Sequence, residues 1–311
     1  MSAARHDAAR GAGQDAAYGT GHDAAHGARH DVAYGTGHDA AYERERPEPG
    51  EDQGARRLPV VLLHALPLDS SMWEEAARGL RARGHRVLTP DQRGFGGTPP
   101  TDQSPSLDLV ADDLARELDR QGIGAVALAG CSMGGYTAMA FLRRHPHRVH
   151  ALALLAARST ADTAESAGQR RRFADMVLDD SSRGRIVAGT APSLLGATTR
   201  ARQPRLLARV TDLALAARPR SVAWAQRAIA ARTDSTAALR AADVPAVVVI
   251  GDEDELVSLD EARRTAAALP RGRLVTLPGV GHLAPLEAPE ATLEILVDLL
   301  AHTETAGAGP C

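Results

Sequence analysis

The pentapeptide Gly130-Cys131-Ser132-Met133-Gly134 follows an apolar run, Val126-Ala127-Leu128-Ala129. It leads straight into helix-favouring residues, Tyr136-Thr137-Ala138-Met139-Ala140. A strand, a very tight turn and a helix with one serine at the apex can do nucleophilic chemistry. The glycines permit close backbone approach, so the hydroxyl stands clear of the strand. Beside it the N–H of Met133, at the helix N-terminus, is free to face an anion. Taken alone the pentapeptide has an ordinary explanation, because a serine that opens a helix is commonly just its cap. Cys131 is no rival nucleophile: a motif centred on it needs glycine where Ala129 and Met133 stand.

An activated serine needs a base within hydrogen-bond reach, and the base needs an acid to hold its tautomer. Two loops that follow apolar runs supply the residue types. One is Gly251-Asp252-Glu253-Asp254-Glu255-Leu256-Val257; the other is Pro278-Gly279-Val280-Gly281-His282-Leu283. His282 is the histidine that sits in a glycine-rich turn after a strand, and it is the expected base. His145, His147 and His150 flank a helix end, where a solvated or dipole-facing histidine is ordinary. Four carboxylates crowd the first loop. Spacing from Gly251 favours Asp254, with Asp252 as the alternative that a substitution would separate from it.

These residues must be positioned by regular elements. Short apolar runs predict strands at 60–64, 86–89, 125–129, 151–155, 246–250 and 273–277. Helical patterns fall at 73–83, 107–121, 136–144, 259–268 and 291–301. The strands are too continuously apolar to expose a face, which predicts an α/β fold with a mostly parallel sheet and helices on both faces. Ligands then belong at the carboxyl ends of the strands. Between about 158 and 243 strand patterns stop and helical ones continue (169–178, 206–217, 221–231), predicting a helical cap inserted between late strands.

Joined together, these segments resemble the α/β-hydrolase-fold family, in the group of small esterases, enol-lactonases and cofactor-free haloperoxidases. The resemblance rests on His64-Ala65-Leu66-Pro67 with Met72-Trp73, on Asp91-Gln92-Arg93-Gly94-Phe95-Gly96-Gly97, on Gly130 to Gly135, and on the acid and histidine loops with Glu287-Ala288-Pro289-Glu290. It implies a Ser132–Asp254–His282 triad, assigning the acid to Asp254. It also implies an oxyanion hole formed by the N–H groups of Leu66 and Met133, and neither cofactor nor metal. The family's glycine after the first histidine is Ala65 here, and His64 is expected to brace the oxyanion loop. The expected reaction is hydrolysis of a small-molecule carboxylic ester through an acyl-enzyme. Enol-lactonase action of the 3-oxoadipate type and peroxide-dependent perhydrolysis are alternatives, and a ligand-binding receptor on the same fold is the non-enzymatic one. Trp73 and Trp224 are candidate substrate-binding aromatics.

Composition narrows the partners. A net charge of −3 over 311 residues advertises no nucleic-acid or membrane surface. The chain has no lysine and no asparagine, so Schiff-base chemistry and N-glycosylation are excluded. Two cysteines, one in the motif and one at the C-terminus, are poor disulfide partners, and no apolar run has transmembrane length; cytoplasm is the expected compartment. Residues 1–57 are expected to be an unstructured tail and linker. An octapeptide repeat starting at Arg5, Gly13, Gly21, Arg29 and Gly37 carries His6, His22, His30 and His38, but too few large aliphatic residues to build a core. The folded domain is expected over 58–302, followed by a tail at 303–311. Oligomeric state is not legible.

Overall fold

A computed structural model describes residues 57–307. The octapeptide repeat lies outside the described residues. Six parallel strands form one sheet in the order β2-β1-β3-β4-β5-β6. They are β1 (Val60–Leu63), β2 (Val87–Leu88), β3 (Val126–Cys131), β4 (Val149–Leu155), β5 (Ala246–Gly251) and β6 (Gly272–Leu277). The six apolar runs in the sequence all become strands.

Alternation along each strand builds two cores. Val61 and Leu63 of β1 and Val126 and Leu128 of β3 face one side, while Val60, Leu62, Ala127 and Ala129 face the other. The first side is covered by α2 (Leu107–Arg120), α3 (Met133–Arg144) and α10 (Leu259–Ala268), and the second by α1 (Glu74–Ala82) and α12 (Pro289–Gly307). A fully buried leucine of this kind contributes roughly 1.5–3 kcal/mol, which is why the strands carry almost no polar residue. Helix α12 continues past residue 302, where the sequence pattern predicts a tail.

The cap joins β4 to β5, which pair directly with each other (Leu152 opposite Ala246). It comprises α4 (Ala164–Met176), α5 (Asp180–Thr190), α6 (Ala197–Arg202), α7 (Pro204–Ala216), α8 (Pro219–Ala230) and α9 (Thr236–Arg240). Of these, periodicity predicts only α4, α7 and α8. Its base is an ion cluster: the wholly buried carboxylate of Asp162 meets Arg158, Arg170 (2.7 Å) and Arg232 (2.9 Å), and Arg158 also meets Glu261 of α10 (3.0 Å). Burial by itself would raise the pKa of Asp162, but the charges of Arg170 and Arg232 outweigh it and hold the carboxyl below its usual range. Among the described residues no helix is long and apolar enough to cross a membrane.

Candidate active site

Ser132 occupies the turn between β3 and α3 with φ 53° and ψ −113°. A non-glycine residue there stores strain of about 1–3 kcal/mol, which the surrounding close packing enforces. A Cβ at Gly130 would overlap the carbonyl of Gly134, and one at Gly134 would overlap the carbonyl of Leu63. Both glycines are therefore demanded by backbone crossing backbone. The Ser132 side chain makes no helix-capping hydrogen bond. Its Oγ instead lies 2.7 Å from Nε2 of His282.

His282 lies on the loop after β6, nearly buried, and its Nδ1 is 3.0 and 2.9 Å from the two carboxylate oxygens of Asp254. Asp254, on the loop after β5, also accepts from the N–H groups of Leu256 (2.8 Å) and Val257 (3.1 Å), which fix its orientation. Asp252 is turned elsewhere and accepts from the Gly279 N–H (2.7 Å). Glu253 binds Thr198 of α6 through its N–H (2.7 Å) and hydroxyl (2.6 Å), and Glu255 pairs with Arg200. Of the four crowded carboxylates, only Asp254 reaches the histidine.

The chain that follows β1 supplies the facing loop. His64 is fully buried and its imidazole is neutral: Nδ1–H donates to the Ala65 carbonyl (3.0 Å) and Nε2 accepts from the Gln92 N–H (2.9 Å). Burial drives its pKa down, against the smaller opposing pull of the Ala65 carbonyl and of Asp91 and Asp69. The Gln92 side chain donates to the His64 carbonyl (2.7 Å) and accepts from the Thr137 hydroxyl of α3 (2.7 Å). One glutamine thus links the loop bearing Leu66 to the helix bearing Met133. Neither the Leu66 nor the Met133 N–H has an acceptor among the described residues. The Ala65 methyl packs in the second core with Met72 and Trp73, so it does not narrow the space beside Leu66.

Glu287, in the short helix α11 (Ala284–Glu287), is visible in the sequence only as part of a family motif. It is buried and accepts three backbone N–H groups, from Gly196 of the cap (2.8 Å), Gly281 (3.0 Å) and Leu283 (2.9 Å). It therefore clasps both sides of His282. Cys131 is buried with its thiol against the His282 carbonyl (3.5 Å). Burial first, then the charges of Asp254 and Glu287, push its pKa well up, so it stays a neutral thiol.

Ser132 and His282 line a cavity of about 420 Å³ beneath the cap. Leu66, Phe173, Val187, Leu194, Ile229 and Val257 give it apolar walls. Contrary to the expectation from the sequence, neither Trp73 nor Trp224 reaches this cavity. Trp73 is 0% exposed and belongs to the core behind the sheet, packed with Leu68 and Met72. Trp224 lies over a separate hollow beside Arg93 and Arg220, its indole N–H donating to the Gln103 carbonyl (2.8 Å). Among the described residues there is no cluster of ligands that could hold a metal ion.

The family described as alpha/beta hydrolase fold matches residues 59–289. A pimeloyl-[acyl-carrier protein] methyl ester esterase of Aromatoleum aromaticum is 31% identical over 252 residues, covering 78% of this chain and 97% of its own. A thermophilic esterase from Thermogutta terrifontis, solved with malate bound, superposes with a TM-score of 0.76 at 34% identity, over 79% of this chain and 90% of its own. The enol-lactonase of Burkholderia xenovorans LB400 gives 0.71 at 26% identity, over 81% and 94%. With sheet order, inserted cap and family match in agreement, the chain belongs to the α/β-hydrolase-fold family.

Proposed function

We propose that this protein hydrolyses carboxylic esters of small molecules, with Ser132 as nucleophile, His282 as general base and Asp254 as the residue that orients the base. The observation that carries the proposal is the unbroken hydrogen-bonded chain from Ser132 Oγ through His282 to Asp254. His282 Nε2 takes the hydroxyl proton as Oγ attacks the ester carbonyl. The negative charge that forms on the carbonyl oxygen falls between the N–H groups of Leu66 and Met133. The protonated histidine, held by Asp254, then gives its proton to the departing alcohol and leaves an acyl-serine. Water, deprotonated by the same Nε2, releases the acid and restores the serine. Every proton is returned, so no cofactor or metal is required.

A lactone is a cyclic ester and runs through the same steps with its alcohol still tethered. The likeness to an enol-lactonase supports that variant of the reading. The test uses a small p-nitrophenyl ester and a fluorophosphonate label. Ser132→Ala and His282→Ala should each lower turnover by about 10³-fold or more, and the label should attach at Ser132. Turnover that survives both substitutions would sink the assignment. A wild-type serine that neither reacts with the label nor turns over ester would identify a binding protein instead.

A further inference from the structure

The walls of the catalytic cavity carry more positive than negative charge, and the excess is traceable to named groups. Arg158, Arg170 and Arg183 line it, against one lining glutamate, Glu255, which is already paired with Arg200. At the cap base Arg158, Arg170 and Arg232 share Asp162 and Glu261, so three guanidiniums meet two carboxylates. Arg183 of α5 differs from these. Among the described residues it has no carboxylate partner; its Nη2 donates to the carbonyls of Leu215 and Ala217 (2.9 Å) at the end of α7. Those bonds suit a cation at a helix C-terminus. They engage one nitrogen and leave Nη1 and Nε without acceptors in a half-buried position on the cavity wall. The Asp254 carboxylate does not line the cavity; its oxygens are taken by His282 and its own loop, so it is no direct partner for Arg183.

Polar groups line the rest of the wall. Tyr136, one turn along α3 from Ser132, lines the cavity under the guanidinium of Arg232, which lies 4.2 Å from its ring centroid. The Gln226 oxygen accepts from Arg170 (3.1 Å), which leaves its NH2 as a donor. Ser166, Gln169, Thr190 and Ser193 add groups that both donate and accept, while Val187, Leu194 and Ile229 supply apolar wall, so the guanidiniums are what give the cavity its sign.

We infer that the favoured substrate is an ester bearing a free carboxylate at the end remote from the scissile bond, in its simplest form the monoester of an aliphatic dicarboxylic acid. Arg183 is the specificity-determining residue. The inference rests on the ester-hydrolase reading and names its substrate class. The carboxylate is a spectator: it neutralises the cavity, takes charge-assisted hydrogen bonds from Arg183, and no bond to it changes. Arg158 and Arg170 are poorer probes, because removing either leaves Asp162 short of a partner in the interior.

The test compares monomethyl suberate with methyl octanoate, which have the same acyl chain length, on the full chain. The wild type should favour the half-ester by about tenfold or more in kcat/KM. Arg183→Gln should cut that ratio by about tenfold, chiefly through KM, and Arg183→Lys, which keeps the charge, should retain most of it. Equal rates on the two esters in the wild type, or a ratio that survives in Arg183→Gln, would overturn the proposal. If Arg183→Gln fails to fold, the wild-type ratio and its decline at high salt decide the matter instead. If neither ester is cleaved, the hydrolase reading fails, and calorimetric titration with suberate judges the site independently. Saturable binding that weakens about tenfold in Arg183→Gln supports it, and no binding to the wild type refutes it.

Discussion

Replacing Glu287 by alanine deprives three backbone N–H groups of their acceptor at once. Oε2 serves Gly196 and Gly281, and Oε1 serves Leu283. A buried donor left without a partner costs about 1–3 kcal/mol, so three put the loss at roughly 3 kcal/mol even at the low end. For a domain of this size each kcal/mol lowers Tm by about 2–4 °C, giving an expected fall of about 6–12 °C. Glu287→Gln keeps an oxygen for the two glycines but turns an NH2 group toward the Leu283 N–H, so about a third to a half of that loss is expected. Function should suffer as well, because Gly281 and Leu283 flank His282. If His282 is the base as proposed, a displacement of about 1 Å lowers turnover on the order of 10²-fold. Calorimetry gives Tm, and steady-state rates on p-nitrophenyl acetate give kcat and KM. The reasoning is refuted if Glu287→Ala melts within about 2 °C of the wild type, or if Tm falls while kcat stays intact.

Three further outcomes are expected. Asp254→Asn should lower kcat by about 10³–10⁴-fold, while Asp252→Asn, whose carboxylate holds only the Gly279 N–H, should change it by less than about fivefold; steady-state kinetics of the pair decides it. His64, neutral when folded with a pKa below the unfolded value of about 6.5, binds no proton where the unfolded chain does, so stability should drop as pH falls below about 6.5, by up to about 1.4 kcal/mol per pH unit. Denaturant melts between about pH 7 and about pH 5.5 should show that slope, and His64→Gln should flatten it. Gly134→Ala places a methyl against the Leu63 carbonyl; it should yield little folded protein or at least about 3 kcal/mol of destabilisation by urea melts, whereas a well-folded, active variant would contradict the geometry of the turn.

Much of the fold is legible in advance because its signals are local. A buried strand is a run such as Ala246-Val247-Val248-Val249-Ile250, and the turn at Ser132 and the loop at His282 advertise themselves through glycines that only close backbone contact explains. Other features depend on direction, which sequence adjacency does not encode. Trp73 neighbours the Leu66 loop along the chain, yet the 3-10 turn Ser70–Trp73 rotates it into the core behind the sheet. Helix α5 escapes sequence reading because Asp-Ser-Ser-Arg-Gly-Arg-Ile-Val-Ala-Gly-Thr has no apolar stripe; the Asp179 cap and the burial of Val187 hold it in place. Without α5, nothing in the sequence brings Arg183 to the cavity. Tyr136 carries a usable signal, since a residue one turn beyond an apical serine faces the same way.

The cap is fastened to the catalytic floor at a point well inside its own sequence. Gly196 and Thr198 are held by Glu287 and Glu253, and a Cβ on Gly281 would overlap the Gly196 nitrogen. Residues 195–199 are therefore part of the platform that carries the histidine, although the chain order places them in the insertion. Opening confined to a hinge at the two ends of the insertion would tear this joint. The same joint limits how the cap can be exchanged: a graft that alters the Gly196–Thr198 segment also disturbs the Glu287 contacts on either side of His282.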